Sequence, residues 1–430
     1  MRQRSHPIRF AVLIALTAVL VTSVGGCASM ELVEEEYDEE LYAFIEPPEA
    51  VQPDSTRFLV VGDTQHSWRA EHRFWRRHNW ATWWQLAFPF YQLTRVGNGF
   101  VGGINYLRQK PDLGSRERAA VRTAMHAATE EHEPAFIVHT GDMAAHDGRY
   151  AEHWHHFLDE YGSGEASLLR SYPFVAAAGN HDLTNDPNYG RPNYEAIFGA
   201  DARFQTIEFP DAVLFVVDSN LIVDQESIMT DEQHKAAFRS WFVGDETPSW
   251  LERQLEAHRD KSLKIIASHH PLSTLSWHER DFRKDAYGPN LMDKRERLIN
   301  LLLDHDVQAM LTGHEHLYER NQLTACRNDT LRTMHTVISS GGGAIVRPTT
   351  TAEEERTRKR HYASQGFDVT LQAQKSVYHY TWATIEGATL TLDTYEVDVS
   401  TPTEVTLLDH VTIRGDAASQ ACTLTESSSQ

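Results

Sequence analysis

The sequence predicts an α/β fold. Two observations carry this: short apolar runs alternate with helical patterns, and these runs end in polar residues suited to chemistry. Uninterrupted apolar runs of this length read as strands buried on both faces. Strand–helix alternation is the α/β signature, and ligands of such folds gather at the carboxyl ends of strands. In chain order the runs cover 57–63, 135–142, 174–180, 213–218, 263–269 and 307–314. Helices are expected over 115–131, 248–258 and 293–304. Pro248 suits a first helical turn, with Trp250, Leu251 and Leu255 on one face. From about Leu331 the pattern becomes antiparallel, with strands expected over 333–338, 377–385, 389–397 and 404–413 and a tight turn at Glu386-Gly387. Residues 353–360 form a dense mixed-charge segment, read as a solvated helix or loop.

Composition narrows the function classes. The chain has 430 residues, 23% charged and 41% hydrophobic, which excludes a disordered chain, a fibre and a polytopic membrane protein. Its formal net charge is −21, so nucleic-acid binding is not expected: there is no cation surplus to displace counterions from phosphates. Three cysteines exclude a disulfide scaffold and a cysteine-based zinc finger.

The ends read as processing and tether segments. Arg2, Arg4 and Arg9 precede an uncharged run over 10–24, too short for a comfortable membrane span and suited to a signal peptide, residues 1–26. Val24-Gly25-Gly26-Cys27 resembles a bacterial lipobox, which implies lipidation of Cys27. Ala28 in the next position leans towards the outer membrane, facing the periplasm. Residues 27–54 are expected to be an acidic tether, since 31–50 hold nine acids and no Lys or Arg. An exported compartment permits a disulfide between Cys326 and Cys422. The main domain is set at 55–415, with 331–415 mainly antiparallel strands and 416–430 a frayed tail.

The run ends together present Asp63, Asp142, Asn180, His181, His269, His314 and, two residues on, His316. This set of oxygen and nitrogen donors without thiolate suits Mn, Fe or Zn in a two-metal site. Glycines just before Asp63, Asp142, Asn180 and His314 are expected to let the backbone turn sharply. Alone, each residue has an ordinary reading: a strand-ending Asp, a His-Pro turn, a surface His. His153, His155 and His156 read as exposed on a helix, His270 as support for its neighbours or a substrate contact, and Asp182 as an orienting hydrogen-bond partner.

At this point the chain resembles the calcineurin-like metallophosphoesterases. The motifs are Gly62-Asp63-Thr64-Gln65, Gly141-Asp142, Gly179-Asn180-His181-Asp182, His269-His270-Pro271 and Gly313-His314-Glu315-His316, in the family's order. The text from Gly313 to Arg320, Trp250-Leu251-Glu252 and Gly341-Gly342-Gly343 are similar to purple acid phosphatases. The resemblance implies a four-layer α-β-β-α sandwich of two mixed sheets, with a dinuclear metal site at the strand carboxyl ends. It implies that Asp142 bridges two metals, that Asp63 and His316 hold the first, and that Asn180, His269 and His314 hold the second. It further implies a bridging hydroxide attacking phosphorus in line, with His181 as general acid or charge stabiliser.

Two departures stand out. Gln65 occupies a position where many members have His, and Ala145 one where purple acid phosphatases have the colour-giving Tyr. Gln65 is the expected remaining ligand of the first metal, through its carbonyl oxygen, with His66 and His146 as alternatives. No purple charge-transfer band is expected.

Residues 66–114 form a wide insert. Its first part, 66–100, carries five of the ten tryptophans and five Arg against one acid. Three readings stand: a packed helical flap, a membrane-interface helix, or a substrate lid whose arginines grip phosphate. The expected function is a metal-dependent phosphoesterase acting on phosphate esters. Alternatives are a phosphodiesterase or nucleotide pyrophosphatase, and a non-catalytic envelope lipoprotein.

Overall fold

The computed structural model describes residues 55–65, 114–145, 148, 151–162, 167–183, 190–223, 230–284, 290–415 and 420–422. The signal segment, Cys27, the acidic tether, nearly all of the Trp/Arg-rich insert, His66 and His146 lie outside the described residues.

The first half of the chain runs β1 (Ser55–Val61), α1 (Ser115–Glu131), β2 (Ile137–His139), α2 (Ala151–Gly162), α3 (Leu168–Ser171), β3 (Phe174–Ala176), α4 (Asn180–Leu183), α5 (Arg191–Phe198), β4 (Phe204–Glu208) and β5 (Ala212–Val217). It continues through α6 (Asp231–Trp241), α7 (Trp250–Ala257), β6 (Leu263–Ala267), α8 (Leu291–Asp304), β7 (Ala309–Thr312), β8 (Tyr318–Arg327) and β9 (Thr330–Ser339). The last elements are α9 (Ala352–Ala363), β10 (Asp368–Lys375), β11 (His379–Glu386), β12 (Thr389–Glu396), β13 (Thr406–Arg414) and β14 (Gln420–Ala421).

Two mixed sheets result. One has the order β13-β12-β11-β1-β2-β3, and the other β10-β8-β9-β7-β6-β5-β4 with β14 added to β9. Strands β1, β2 and β3 pair in parallel, as do β5, β6, β7 and β9, while the outer strands are antiparallel. The period-2 alternation of strand side chains divides each strand between two cores. Phe58 and Val60 of β1 meet Leu214 and Val216 of β5 in the core shared by the sheets. Leu59 and Val61 pack outward with Val121 and Met125 of α1 and Trp154 of α2. Val213 and Phe215 pack outward with Phe238, Leu251 and Leu298 of α6, α7 and α8. The layers are therefore α-β-β-α, as expected.

The structure also departs from the expectations. Pro248 lies before α7 rather than in its first turn. Ser249 is the N-cap, accepting from the Glu252 N–H while the Glu252 carboxylate returns to the Ser249 N–H at 2.6 Å. Trp250 is half-buried, while Leu251 and Leu255 are buried. On α2, His156 is exposed but His153 and His155 are half-buried. The mixed-charge segment is helix α9, closed by a capping box between Thr351 and Glu354. Part of the C-terminal tail is tied down: Cys422 is disulfide-bonded to Cys326, with Cα atoms 5.9 Å apart, and Gln420–Ala421 pairs with β9. Among the described residues no helix is long and apolar enough to cross a membrane.

Candidate metal centre

The two sheets bring the ends of β1, β2, β6 and β7 to one place, and backbone hydrogen bonds lock these ends together. The Asp63 N–H donates to Gly141 O and the Thr64 N–H to Asp142 O, both at 3.0 Å, and the Gly313 N–H donates to His269 O at 3.0 Å. The His314 N–H donates to Asp63 Oδ2 at 2.9 Å. Asp182 fixes the turn opposite, its carboxylate accepting from the N–H groups of Asp142, Met143, Ala144 and Gly179, each at 2.8 Å.

Asp63, Asp142, His314 and His316 themselves have positive φ, between 53° and 75°. Left-handed backbone is uncommon outside glycine and is held at functional turns by the surrounding structure. This corrects the expected role of the preceding glycines. Of Gly62, Gly141, Gly179 and Gly313, Gly141 alone has positive φ. The others are required for close approach: a Cβ on Gly179 would lie 2.2 Å from Asp142 Oδ1, and one on Gly62 1.9 Å from Thr140 Oγ1.

The tautomers follow from the acceptors. His269 Nδ1 faces Thr140 O at 2.8 Å and therefore carries the proton, so its Nε2 presents a lone pair. His314 Nε2 faces an Asp281 carboxylate oxygen at 3.5 Å, so its Nδ1 presents a lone pair. Those two lone-pair nitrogens stand 3.1 Å apart. Asn180 Oδ1 is 3.1 Å and Asp142 Oδ2 3.3 Å from the same His269 Nε2. With the neutral tautomers set this way four acceptors face one another, a conflict that either a proton on His269 Nε2 or a cation among them resolves. Ligand atoms of Asp63, Asp142 and His269 all lie within 4.8 Å of one another.

A second convergence adjoins it. His316 Nδ1 is held by Ile345 O at 3.1 Å, and its Nε2 lies 3.3 Å from Asp63 Oδ1. Gln65 Nε2 reaches Asp142 Oδ2 at 3.1 Å and His316 Nε2 at 3.0 Å, while Gln65 Oε1 is buried with no hydrogen-bond partner. Half a turn of the amide exchanges these atoms and points the orphaned oxygen at the same place. His181 Nε2 lies 4.0 Å from Asp142 Oδ2, and its side chain is 20% exposed, at the mouth of a centre in which Asp63, Asp142, His269 and His314 are buried.

Electrostatics tell the same story. Burial pushes the Asp63 carboxyl well above the usual range and, with Asp142 beside it, outweighs His269. Burial also opposes ionisation of Asp142, but His269 and His181 hold it well below. Burial lowers His269, yet Asp142 raises it further, to about 9. A single proton on His269 is a poor substitute for the positive charge that two buried carboxylates demand.

Sequence reasoning anticipated Asp182 and His270 as supports of the centre but missed the rest of the supporting shell. His139 is buried, accepts from the Gly141 N–H and pairs with Thr64 Oγ1 at 3.1 Å; burial, with His269, lowers it to about 3. His270 is buried, bonded through Nδ1 to Ser219 Oγ at 2.9 Å, with its ring 4.4 Å from that of His314. Glu315, Asp281 and His278 back the last motif. Ala145 is buried, 1% exposed, where the purple enzymes carry Tyr.

Comparison with known proteins agrees with this geometry. The profile of the calcineurin-like phosphoesterase family matches residues 56–318. No curated protein sequence matches the chain. Similar solved structures include a purple acid phosphatase from yellow lupin (Lupinus luteus) seeds, at 14% identity and TM-score 0.47, covering 85% of this chain and 54% of that one. PhoD aligns at 9% identity and TM-score 0.51, over 88% of this chain and 73% of that one. GAP50, the anchor in the inner membrane complex of Plasmodium, aligns at 12% identity and TM-score 0.48, over 83% and 89%. The chain thus spans about half the length of the lupin protein. Of these, the PhoD likeness bears on the fold. With the family profile covering well over half the chain, this protein belongs to the calcineurin-like phosphoesterase family.

Proposed function

We propose that this protein is a metal-dependent phosphoesterase that hydrolyses phosphate esters at a dinuclear centre. The observation that carries the proposal is the convergence of His314 Nδ1, Asn180 Oδ1 and Asp142 Oδ2 on His269 Nε2, four potential ligand atoms in one buried place. In this reading Asn180, His269 and His314 hold one ion, and Asp63, His316 and the Gln65 carbonyl oxygen hold the other, with Asp142 shared. All are hard or borderline donors, as Mn, Fe or Zn requires. Ions held by these residues would supply an activated water nucleophile and charge neutralisation at phosphorus.

The chain's own residues do the rest. Asp182 holds the Asp142 turn rigid through four N–H groups, and Thr140 O and Ile345 O keep His269 and His316 in one tautomer. His181, at the exposed mouth, is placed to donate a proton to a departing alkoxide or to stabilise phosphoryl charge. The similarity of the last motif to purple acid phosphatases favours a monoester substrate, with diesters and pyrophosphates as the alternative. The sequence supports a cell-envelope location: the signal segment and lipobox propose attachment through lipidated Cys27, with the protein facing the periplasm.

The test is hydrolysis of p-nitrophenyl phosphate and bis(p-nitrophenyl) phosphate with added Mn, Zn or Fe. Metal-dependent turnover is expected, reduced at least 100-fold in Asp142→Ala and His181→Ala, and the rate ratio separates monoesterase from diesterase. Absence of turnover, with no bound metal, would favour the non-catalytic lipoprotein.

A further inference from the structure

Beside the centre lies a relay that no motif announces. Asp281, in the turn Trp277–Arg283, accepts from His314 Nε2 at 3.5 Å and from His278 Nδ1. Lys284 Nζ holds its other oxygen at 2.6 Å. His278 Nε2 meets Arg347 Nη1. Arginine only donates, so His278 must accept at Nε2 and carry its proton at Nδ1, facing Asp281. That direction leaves the His314 proton on Nε2 and its Nδ1 open to the centre. The His278 ring lies against the His314 ring, centroids 3.9 Å apart, and the His278 backbone N–H donates to a Glu315 carboxylate oxygen at 3.1 Å. His278, Asp281 and His314 also satisfy the spacing of a cation site. Lys284 and Arg347 already supply that cluster with two positive charges, so a third metal has no role there.

Arg347 itself is pinned from below. Its N–H donates to His316 O at 2.9 Å, the Ala344 N–H to Asp63 O at 2.9 Å, and the Gly342 N–H to Gly62 O at 2.9 Å. The strap 341–347 is thus stitched to both turns that present Asp63 and His316. The Arg347 charge is felt by Asp63, His316 and Glu315. Yet Arg347 is half-buried, while Asp63, Asp142, His269 and His314 are buried. A guanidinium carries five N–H donors, and His278 takes one.

Building on the phosphoesterase reading, we infer that Arg347 is a substrate contact: held over the centre by His278, it binds a non-bridging phosphoryl oxygen and favours dianionic monoesters over monoanionic diesters. A fixed guanidinium suits phosphate geometry, and its advantage grows with the charge on the ligand. His278 and Asp281 act through others: they position Arg347 and orient His314.

The full chain, loaded with Mn, tests this with inorganic phosphate as probe in titration calorimetry, beside metal analysis and kinetics on both nitrophenyl esters. Arg347→Met should weaken phosphate binding about 10- to 100-fold, the loss expected for a hydrogen bond to a charged group. Arg347→Lys should recover part of it, bound metal should stay unchanged, and kcat/KM should fall further for the monoester than for the diester. Phosphate affinity within two-fold of wild type in Arg347→Met would overturn the inference. So would loss of metal in both variants, which would make Arg347 a prop for the His316 turn. If wild type neither binds phosphate nor turns over either ester, the phosphoesterase reading itself falls, and this inference with it.

Discussion

At the centre, geometry is held by contacts with no slack. Gly179 has room for a hydrogen and nothing more, because Asp142 Oδ1 and the Asp142 N–H approach from the side a Cβ would occupy, each at 2.2 Å. Gly179→Ala must therefore displace Asp142. We expect a cost of about 1–3 kcal/mol in stability and a clear loss of bound metal. Metal analysis with a thermal melt checks this, and wild-type metal content in the variant would contradict the packing account. Residues that end strands were legible in the sequence because donor type, order and neighbouring glycine all appear in one short motif. Asp281, His278 and Arg347 were not. They lie 33, 36 and 31 residues from His314 or His316 along the chain, and only the fold brings them alongside. The reason for the glycines was also not legible, since close approach and left-handed backbone leave the same letter in a sequence.

Elements were legible where local pattern and tertiary burial agree. Helix α1 spans Ser115–Glu131 as the periodicity predicts, and the central strands overlap the apolar runs, with β1 and β5 starting one or two residues earlier. They ended early wherever a run turned into a site: β2 stops at His139 and β3 at Ala176, since the following residues leave the sheet to build the centre. Strand β10 was missed because it is an edge strand with exposed polar positions that hide its alternation. Pro248 illustrates competition between two start signals. Ser249 three residues before Glu252 forms a reciprocal capping box, and the proline is displaced outside the helix. Ser249→Ala removes the cap and the buried hydroxyl bond to Phe242 O at 2.8 Å. It should cost about 1–2 kcal/mol in urea unfolding, with the metal centre unaffected. A cost below about 0.3 kcal/mol would show that the box is ornamental.

The molecule as a whole should be sensitive to acid. His234, His335 and His379 lie in different elements, and each is lowered to about 4, by burial above all. Lys294 adds to this at His234 and Arg320 at His335. Their folded values lie below the unfolded value of about 6.5. Between about pH 6.5 and 4 the unfolded chain therefore binds more protons, and stability falls as pH falls through that window. The raised carboxyls of Asp182 and Glu315 act in the opposite sense over part of this range, so the histidine contribution is read from the change that a single variant makes. Chemical denaturation across pH 7 to 4 should show this slope, shallower in His379→Gln. A slope unchanged in His379→Gln would refute it. An acid optimum for any phosphatase activity would then have to coexist with a fold that weakens in acid.

A bound cation would explain why His314 Nδ1, Asn180 Oδ1 and Asp142 Oδ2 converge on His269 Nε2. The most direct measurement is metal content of the purified full chain after exposure to Mn or Zn and removal of excess. Two ions per chain in wild type, falling by at least one in Asp142→Asn, is the predicted result. A folded wild-type protein that retains no metal at micromolar free ion would contradict the central claim.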